Sequence, residues 1–355
     1  MCLIDVHRSS LLFIKLEGYG IGGNLLFWIK AFLSNRTQAV RVGSSMSSIC
    51  FVTSGIPQGS CLGPLLFNLF INDVTDDLTD VTAKLFADDI KLYTEISAPS
   101  SIVNFQAHLD IIGSWACTWQ LGISHTKSNI LDLGHHPVHA TYTILGRHIA
   151  NCKLIKDLGV FVDSDLTFAH HIHEFVSRAK RRSSLIFRSF LSRNILNFKR
   201  AFITYVRPLV EYASPVWSPS HIYLINEIES VQRSFTKRLP GFADLPYSER
   251  LSNLKLQTLE HRRLISDLIL CYNAVRGFNA LNIDSFFKFS NNTTLRGHPY
   301  RFIIPLVKIN VRRFFLSHRI INIWNSLPSD IVSLPNTVQF KKSLIKLDLS
   351  KYLHV

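Results

Sequence analysis

Apolar residues recur along this chain first at helical spacing, then in short alternating runs, then at helical spacing again. Leu11, Leu12, Ile14 and Leu16, followed by Leu25, Leu26, Trp28, Ile29 and Phe32, predict two helices. The string Gly18-Tyr19-Gly20-Ile21-Gly22-Gly23 breaks them apart. No strand precedes that glycine run, so it is read as a helix break rather than a phosphate loop. Residues 38–42 and 49–52 predict paired strands across a Gly-Ser-rich turn. A helix is expected over 64–72: Pro64 suits a first turn, and Leu65, Leu66, Leu69 and Phe70 form one stripe. Residues 83–86 and 90–93 predict two short strands, which puts Asp88 and Asp89 at the tip of a hairpin. An amphipathic helix follows over 105–119, and further strands over 130–133 and 158–162.

From Ile172 onward the spacing is mainly helical. Pro215-Val216-Trp217-Ser218-Pro219 predicts a turn, with helices resuming over 222–238 and 249–274. Residues 279–299 are polar and glycine-containing, a predicted loop or linker, and 314–327 gives a last strong amphipathic helix. No internal repeat or low-complexity tract is present.

Composition narrows the class. A chain of 355 residues can bury a large core and form two or three units. Its 47% hydrophobic content argues against disorder. The net charge of +14 points to a polyanionic partner, the bland alternative being a basic protein with no specific one. The six cysteines, at 2, 50, 61, 117, 152 and 271, form no C-x-x-C pair, so neither a zinc knuckle nor a disulfide scaffold is indicated. They read as buried thiols in a reducing compartment. No apolar run is long enough to span a bilayer, and the first residues lack signal-peptide character. Nucleic acid is therefore a better partner for the charge than membrane.

The candidate chemistry centres on Leu85-Phe86-Ala87-Asp88-Asp89-Ile90. Adjacent carboxylates flanked by apolar residues are costly to hold together, and a bound cation removes that cost. Taken alone the pair reads as a solvated turn. The upstream string Ser54-Gly55-Ile56-Pro57-Gln58-Gly59-Ser60-Cys61-Leu62-Gly63-Pro64 changes that reading. Phosphoryl transfer onto a 3′ end uses metal ions about 3.5–4 Å apart, held by carboxylates from separate elements. A hairpin tip suits this, since its strands fix the carboxylates and its turn leaves them open.

Further along, Arg178, Lys180, Arg181, Arg182, Arg188, Arg193, Lys199 and Arg200 stand in a stretch without a single acid. Surfaces normally mix signs, so this stretch is expected to contact a nucleic-acid backbone rather than to be a plain solvated face. His135, His136 and His139, and His170, His171 and His173, have no acidic or thiol partner at metal-ligand spacing and are expected to be exposed. Trp115, Trp119, Trp217 and Trp324 are expected in the core.

In this order and separation the strings resemble the reverse transcriptase of non-LTR retrotransposons, the long interspersed elements. Residues 54–60 look like the family's motif B, which contacts template base and incoming nucleotide, so the resemblance implies that role for Pro57, Gln58 and Gly59. Leu62-Gly63-Pro64-Leu65-Leu66-Phe67 and Ile71-Asn72-Asp73 continue the match. Phe86-Ala87-Asp88-Asp89 is similar to motif C, whose carboxylates bind the catalytic metals. Trp119-Gln120-Leu121 through Lys127-Ser128 looks like motif D, implying Lys127 near the triphosphate, where a surface lysine is the alternative. Leu158-Gly159-Val160 is similar to the motif E hairpin that grips the primer end. The basic helices, with Arg207-Pro208-Leu209-Val210-Glu211-Tyr212-Ala213 and Trp217, fall where the family has its thumb.

The resemblance implies an α+β fold: a palm of antiparallel strands backed by helices over 1–170, a helical thumb over 171–278, and a mostly helical extension of unknown role over 279–355. It implies RNA-directed DNA synthesis with Mg²⁺ (or Mn²⁺), an RNA template, a DNA primer and deoxynucleoside triphosphates, in the nucleus or cytoplasm and without a membrane. The start departs from the pattern. Motif A has the form Asp-x-x-x-Ala-Phe-Asp. Asp5 falls on its second Asp, and the first, a metal ligand, would precede Met1. A truncated copy without fingers is expected, with an exposed apolar palm face open to association and impaired catalysis. The alternative is a catalytically inactive remnant that binds nucleic acid through its basic helices.

Overall fold

The computed structural model describes residues 3–4, 9–52, 55–134, 140–290 and 297–355. Helices predominate, and the described strands pair two by two, mostly antiparallel. The chain divides into two compact units, Met1–Ile155 and Lys156–Val355.

The first unit runs β1 (Leu3–Ile4), α1 (Ser9–Gly18), α2 (Gly23–Leu33), β2 (Thr37–Gln38), β3 (Arg41–Val42), β4 (Ser45–Met46), β5 (Cys50–Phe51), α3 (Gly63–Ile71), β6 (Thr82–Phe86), β7 (Asp89–Tyr93), α4 (Pro99–Thr118), β8 (Gly122–Ile123), β9 (Asn129–Ile130), β10 (Thr143–Ile144), β11 (Arg147–His148) and β12 (Ala150–Asn151). β1 pairs antiparallel with β8, β2 with β5, β3 with β4, β6 with β7 and β10 with β11; β9 and β12 are parallel. One core gathers Leu12 and Leu16 of α1, Leu26, Ile29 and Leu33 of α2, Leu66 and Phe70 of α3, Ile90 of β7, and Leu109, Ile112 and Ala116 of α4. The glycine-rich break between α1 and α2 and the start of α3 fall as the pattern predicts. Leu65 does not: it is exposed, because Leu66, Phe70 and Ile71 turn the buried face away from it.

Lys15 anchors this core. It is only 6% exposed, yet it is a lysine. Its ammonium lies 4.7, 4.4 and 3.9 Å from the ring centres of Phe70, Trp115 and Trp119. It donates to the Phe70 carbonyl and to the Asp73 carboxylate, which also accepts from Trp115 Nε1 at 3.2 Å. Burial pulls the ammonium below its ordinary range, and Asp73 acts against that. One charge thus ties α1, the end of α3 and α4 together through cation–π and ionic contacts.

Many apolar side chains of this unit face outward: Phe27 and Trp28 of α2, Val42 and Met46 of β3 and β4, Phe51 of β5. The β3–β4 and β2–β5 pairs are exposed along their length.

A hairpin of β13 (Leu154–Asp157) and β14 (Val160–Asp163) leads into the second unit. Its helices are α5 (Ala169–Ser189), α6 (Ile195–Ala201), α7 (Ser214–Trp217), α8 (Ile222–Lys237), α9 (Tyr247–Leu254), α10 (Leu259–Val275), α11 (Asn310–Phe314), α12 (Leu316–Arg319), α13 (Ile321–Asn325), α14 (Ser329–Val332) and α15 (Thr337–Leu344). One core packs α5, α6 and α8 around Phe198, Phe202, Trp217 and Phe235. Another packs α10 against α12, α13 and α15 around Tyr272, Trp324 and Phe340. Buried charges sit between helices here: Arg319 forks onto Asp267 at 2.9 and 3.0 Å, and Glu229 accepts the Leu259 amide at 2.9 Å and the Tyr247 hydroxyl.

Several expectations are corrected. Leu158 and Gly159 form a turn rather than a strand, because both take positive φ (44° and 89°). The 215–219 segment holds a helical turn that buries Trp217. The 249–274 helix is two, broken where Lys255 takes φ 49°. The predicted linker contributes Phe287 to the last core, and Phe289 bridges to Phe302; residues 291–296 lie outside the described part. The 314–327 helix is two short ones, α12 and α13, preceded by α11, which ends at Phe314, and followed by α14 and α15. Trp217 and Trp324 are buried as expected, Trp115 and Trp119 partly so. Of the cysteines expected to be buried, Cys271 is, but Cys50, Cys61 and Cys117 are exposed and Cys152 is half-buried.

His171 is buried, not exposed. Its ring packs 5.1 Å from Phe175 and 5.7 Å from Trp217, and its Nδ1 accepts the Phe161 amide at 3.4 Å. His173 is exposed but paired with Glu227 at 2.9 Å. His135, His136 and His139 lie outside the described residues.

Two outcomes follow. Asp73→Ala, which strands the buried ammonium, is expected to destabilise by about 3 kcal/mol, and Lys15→Met by less, in urea unfolding; equal or negligible losses would contradict the anchor. Burial, then Arg178, His170 and Lys156, hold His171 at about 4 against an ordinary 6.5. The unfolded chain therefore takes up this proton first, so stability is full above about pH 6.5 and declines on acidification towards pH 4, by up to about 3 kcal/mol. His171→Gln is expected to flatten that acid limb in urea titrations at pH 7 and 4.5; an unchanged pH dependence would refute it.

Candidate active site and nucleic-acid interface

The β6–β7 hairpin carries the paired carboxylates. Its register runs Thr82↔Tyr93, Ala83↔Leu92, Lys84↔Lys91, Leu85↔Ile90 and Phe86↔Asp89. The turn is therefore Ala87–Asp88, and Asp89 opens the second strand instead of sharing the tip. Side chains alternate across a strand: Leu85, Ile90 and Leu92 face the core, while Asp89 points outward and is exposed. Asp88 is half-buried in the turn. Ala87 takes φ 48°, a left-handed conformation that costs an L-residue roughly 1–2 kcal/mol. Strain of this kind collects at functional turns.

The upstream loop is held by its own serine and glycine. Ser60 Oγ donates to the Pro57 carbonyl at 2.8 Å and accepts the Gly63 amide at 3.0 Å. A Cβ at Gly63 would come to 3.0 Å from Ser60 Oγ and 3.2 Å from the Pro57 carbonyl, so a side chain there would crowd the loop. Arg36 pins the entry by donating to the carbonyls of Leu33 and Gly55. Gln58 and Gly59 are left exposed at the apex, Pro57 is half-buried, and Gly59 takes φ 80°. Ile56 and Leu62 seat the loop on the same core that holds Leu85 and Leu92. Thr53 and Ser54 lie outside the described residues, as does Asp5.

Lys127 ends a short turn, His125–Lys127, and is exposed. In the second unit Leu158 and Gly159 form the turn before β14, and Val160 is buried beneath it. Tyr212 holds this turn, donating its hydroxyl to the Leu158 carbonyl at 2.8 Å with its ring 3.4 Å from a Cβ placed on Gly159. That contact spans 54 residues and has no local signature in sequence.

The basic stretch lies on one side of α5 and along α6. His171, Ile172, Phe175, Val176, Ala179, Ser183, Ile186 and Phe187 form the buried stripe of α5. Arg178, Lys180, Arg181, Arg182 and Arg188 are exposed, as are Arg193 and Arg200, while Lys199 is half-buried. None of the eight takes part in an ion pair recorded among the described residues. The pairs His173–Glu227 and Ser184–Arg238 share one sequence separation, 54, so α8 runs parallel to α5. Arg238, overlooked in the sequence, thereby joins the basic side, 4.1 Å over the Phe187 ring.

Among the described residues no three His, Cys, Asp or Glu side chains converge as a metal-binding group, and no helix is long and apolar enough to cross a membrane. Asp88 and Asp89 supply hard oxygen donors of the kind Mg²⁺ takes, usually one or two carboxylates at a time.

Residues 8–159 match the family described as reverse transcriptase (RNA-dependent DNA polymerase). The chain is 30% identical over 229 residues to the RNA-directed DNA polymerase from mobile element jockey of Drosophila melanogaster, covering 60% of this chain and 25% of that protein. It is 27% identical over 226 residues to the probable RNA-directed DNA polymerase from transposon X-element (60% and 24%), and 28% identical over 255 residues to that from transposon BS (66% and 28%), both of Drosophila melanogaster. The chain thus spans about a quarter of the length of these relatives. Residues 8–159, which hold the Asp88–Asp89 hairpin and the loop before it, thus match a reverse transcriptase domain, and the relatives that the chain resembles are RNA-directed DNA polymerases of mobile elements.

Proposed function

We propose that the chain contributes the palm and thumb of an RNA-directed DNA polymerase: a palm over 1–170, a helical thumb over 171–278, and an extension over 279–355. The observation that carries this is the β6–β7 register, which sets Asp88 in a strained turn and Asp89 on the open face beside it. In this reading Asp88 and Asp89 hold Mg²⁺, with Mn²⁺ as substitute. A divalent ion held there would favour the attacking 3′ oxygen and neutralise charge on the triphosphate. Gln58 and Gly59, displayed at the apex of their loop, face template base and nucleotide, and Lys127 approaches the triphosphate. Leu158, Gly159 and Val160, steadied by Tyr212, support the primer end.

Arg178, Lys180, Arg181, Arg182, Arg188, Arg193, Lys199 and Arg200 neutralise backbone phosphates of the primer–template duplex. Such contacts position the duplex without reading its sequence.

Primer extension on an RNA template with Mg²⁺ tests the carboxylates in the reaction itself: any synthesis is expected to be lost in Asp88→Asn, and synthesis that survives the substitution would refute the assignment.

Metal affinity tests the carboxylates directly. Asp88→Asn and Asp89→Asn are each expected to weaken Mn²⁺ binding about tenfold or more by calorimetry, since each removes a charged oxygen ligand; undiminished affinity would refute the assignment. Salt tests the helices. For a DNA duplex the logarithm of affinity falls with the logarithm of salt by about 0.9 per neutralised phosphate. Replacing Arg178, Arg181 and Arg182 by Gln is expected to make that slope shallower by about 2–3, and an unchanged slope would remove α5 from the interface.

A further inference from the structure

Charge is unevenly spread over the first unit. No lysine or arginine occurs from residue 42 through 83 or from 92 through 126, although the chain carries a net charge of +14. Asp73, Asp76, Asp77, Asp80, Glu95 and Asp110 all fall in these two stretches. Surfaces normally mix signs. Asp73 is paired with Lys15, and the other five take part in no ion pair recorded among the described residues.

Where the two stretches meet, an open groove of about 580 Å³ runs along α4. Asp77 lines it from the segment after α3, and Ala107, Asp110, Ile111, Trp115 and Trp119 line it from α4. Leu109, Ile112 and Ala116 turn the other side of α4 into the core that carries Ile90 of the hairpin. The groove therefore lies across α4 from Asp88 and Asp89. Asp77 and Asp110 are both exposed, and no lysine, arginine or histidine lines the groove. The hydrogen bond recorded to Asp110 comes from the neutral Gln106 amide at 2.8 Å. Trp115 Nε1 is committed to Asp73 at 3.2 Å, so Trp115 adds ring surface to the groove rather than a donor.

Carboxylates beside aromatic rings, with no cation among them, repel phosphate and anionic lipid. They suit an organic cation, whose charged head meets the carboxylates while its aliphatic stem lies on the rings. The same two indoles already take an ammonium inside the core: that of Lys15 lies 4.4 and 3.9 Å from the ring centres of Trp115 and Trp119. From Ala107 to Trp119 the helix runs about 18 Å at 1.5 Å per residue. An open groove of that length suits a stretch of polypeptide laid along it.

We infer that this groove is a docking site for a basic segment of a partner protein. Arginine or lysine side chains of that segment meet Asp77 and Asp110, and its apolar side chains pack on Ile111, Trp115 and Trp119. Docking there leaves the outer face of the β6–β7 hairpin open. The inference does not rest on the polymerase reading, since it uses other residues on the other side of α4.

The test uses the full chain and three fluorescent helical peptides. The first carries leucine on one face and arginine on the other; the second has glutamine, and the third glutamate, in place of each arginine. Binding is followed by anisotropy across salt concentrations. The proteins are the unaltered chain, Asp77→Asn/Asp110→Asn, Ser114→Arg and, as reference, Asp88→Asn. Ser114 is exposed and lines the groove one helical turn after Asp110, so Ser114→Arg places a guanidinium in the groove itself. The arginine peptide is expected to bind the unaltered chain, more weakly as salt rises, and the other two peptides to bind far less. Asp77→Asn/Asp110→Asn is expected to lower its affinity by about fivefold at low salt, the scale of two exposed ion pairs. Ser114→Arg is expected to lower it by about tenfold or more through like-charge repulsion. Melting temperatures are expected to hold, and Asp88→Asn to bind as the unaltered chain does.

Arginine-peptide binding that is absent, or that survives both groove variants, would overturn the inference. Equal binding of the glutamine peptide would do the same, since the carboxylates would then have no part. A loss in Asp88→Asn alone would move the peptide to the hairpin and overturn it too, whereas the polymerase reading stands or falls on metal affinity and primer extension. Sedimentation of the unaltered chain tests the remaining occupant: self-association that Ser114→Arg abolishes would assign the groove to a second copy of this chain instead.

Discussion

The candidate site depends on one geometric constraint, the register of a hairpin closed by the two residues Ala87 and Asp88. Side chains of a strand alternate with a period of two, so a slip of one position would turn Leu85, Ile90 and Leu92 out to solvent and Asp89 into the core. The cost of burying that carboxylate and exposing those apolar groups fixes the pairing. The strained φ of Ala87 is tolerated because ten paired residues determine it from both sides. Everything displayed on the outer face, carboxylate, lysines and rings, follows from that choice.

The platform beneath the hairpin is organised around a second constraint, a buried charge. Lys15 is buried in α1 between Ile14 and Leu16, and its ammonium finds three aromatic rings and one carboxylate from two other parts of the chain. A buried pair of this kind contributes little net stability, but it penalises packings that separate the partners. It holds α1, the end of α3 and α4 in one arrangement, and α3 is the helix that the Pro57–Gly63 loop leads into. The second unit uses the same device: Arg319 on Asp267 and Glu229 under Leu259 and Tyr247 join helices that lie far apart in sequence.

Part of the candidate site's layout was legible beforehand because its signals are local. A proline at a helix start, two acids between alternating apolar runs and a stretch of bases without acids need few neighbours to interpret, and from them came the hairpin around Asp88–Asp89, the start of α3 and the exposed basic stretch 178–200. The role expected of residues 54–60 came only with the resemblance. What escaped was non-local. The burial of His171 is decided by Phe161, Phe175 and Trp217, and Arg238 reaches the basic side only because α8 lies parallel to α5. The unbroken helix read over 249–274 fails at Lys255, where a left-handed residue turns the chain so that both halves can pack.

The amino-acid order by itself determined the kind of chemistry on offer: which residues carry charge, which can bend, and which alternate, since these are properties of individual side chains and their nearest neighbours. Only the tertiary structure decided which lysine is buried and which two oppose each other, which serine braces the Pro57–Gly63 loop, and which tyrosine steadies the turn before β14. Those outcomes depend on distances between segments tens of residues apart. Close packing and cross-strand register set such distances, and no single stretch of sequence encodes them.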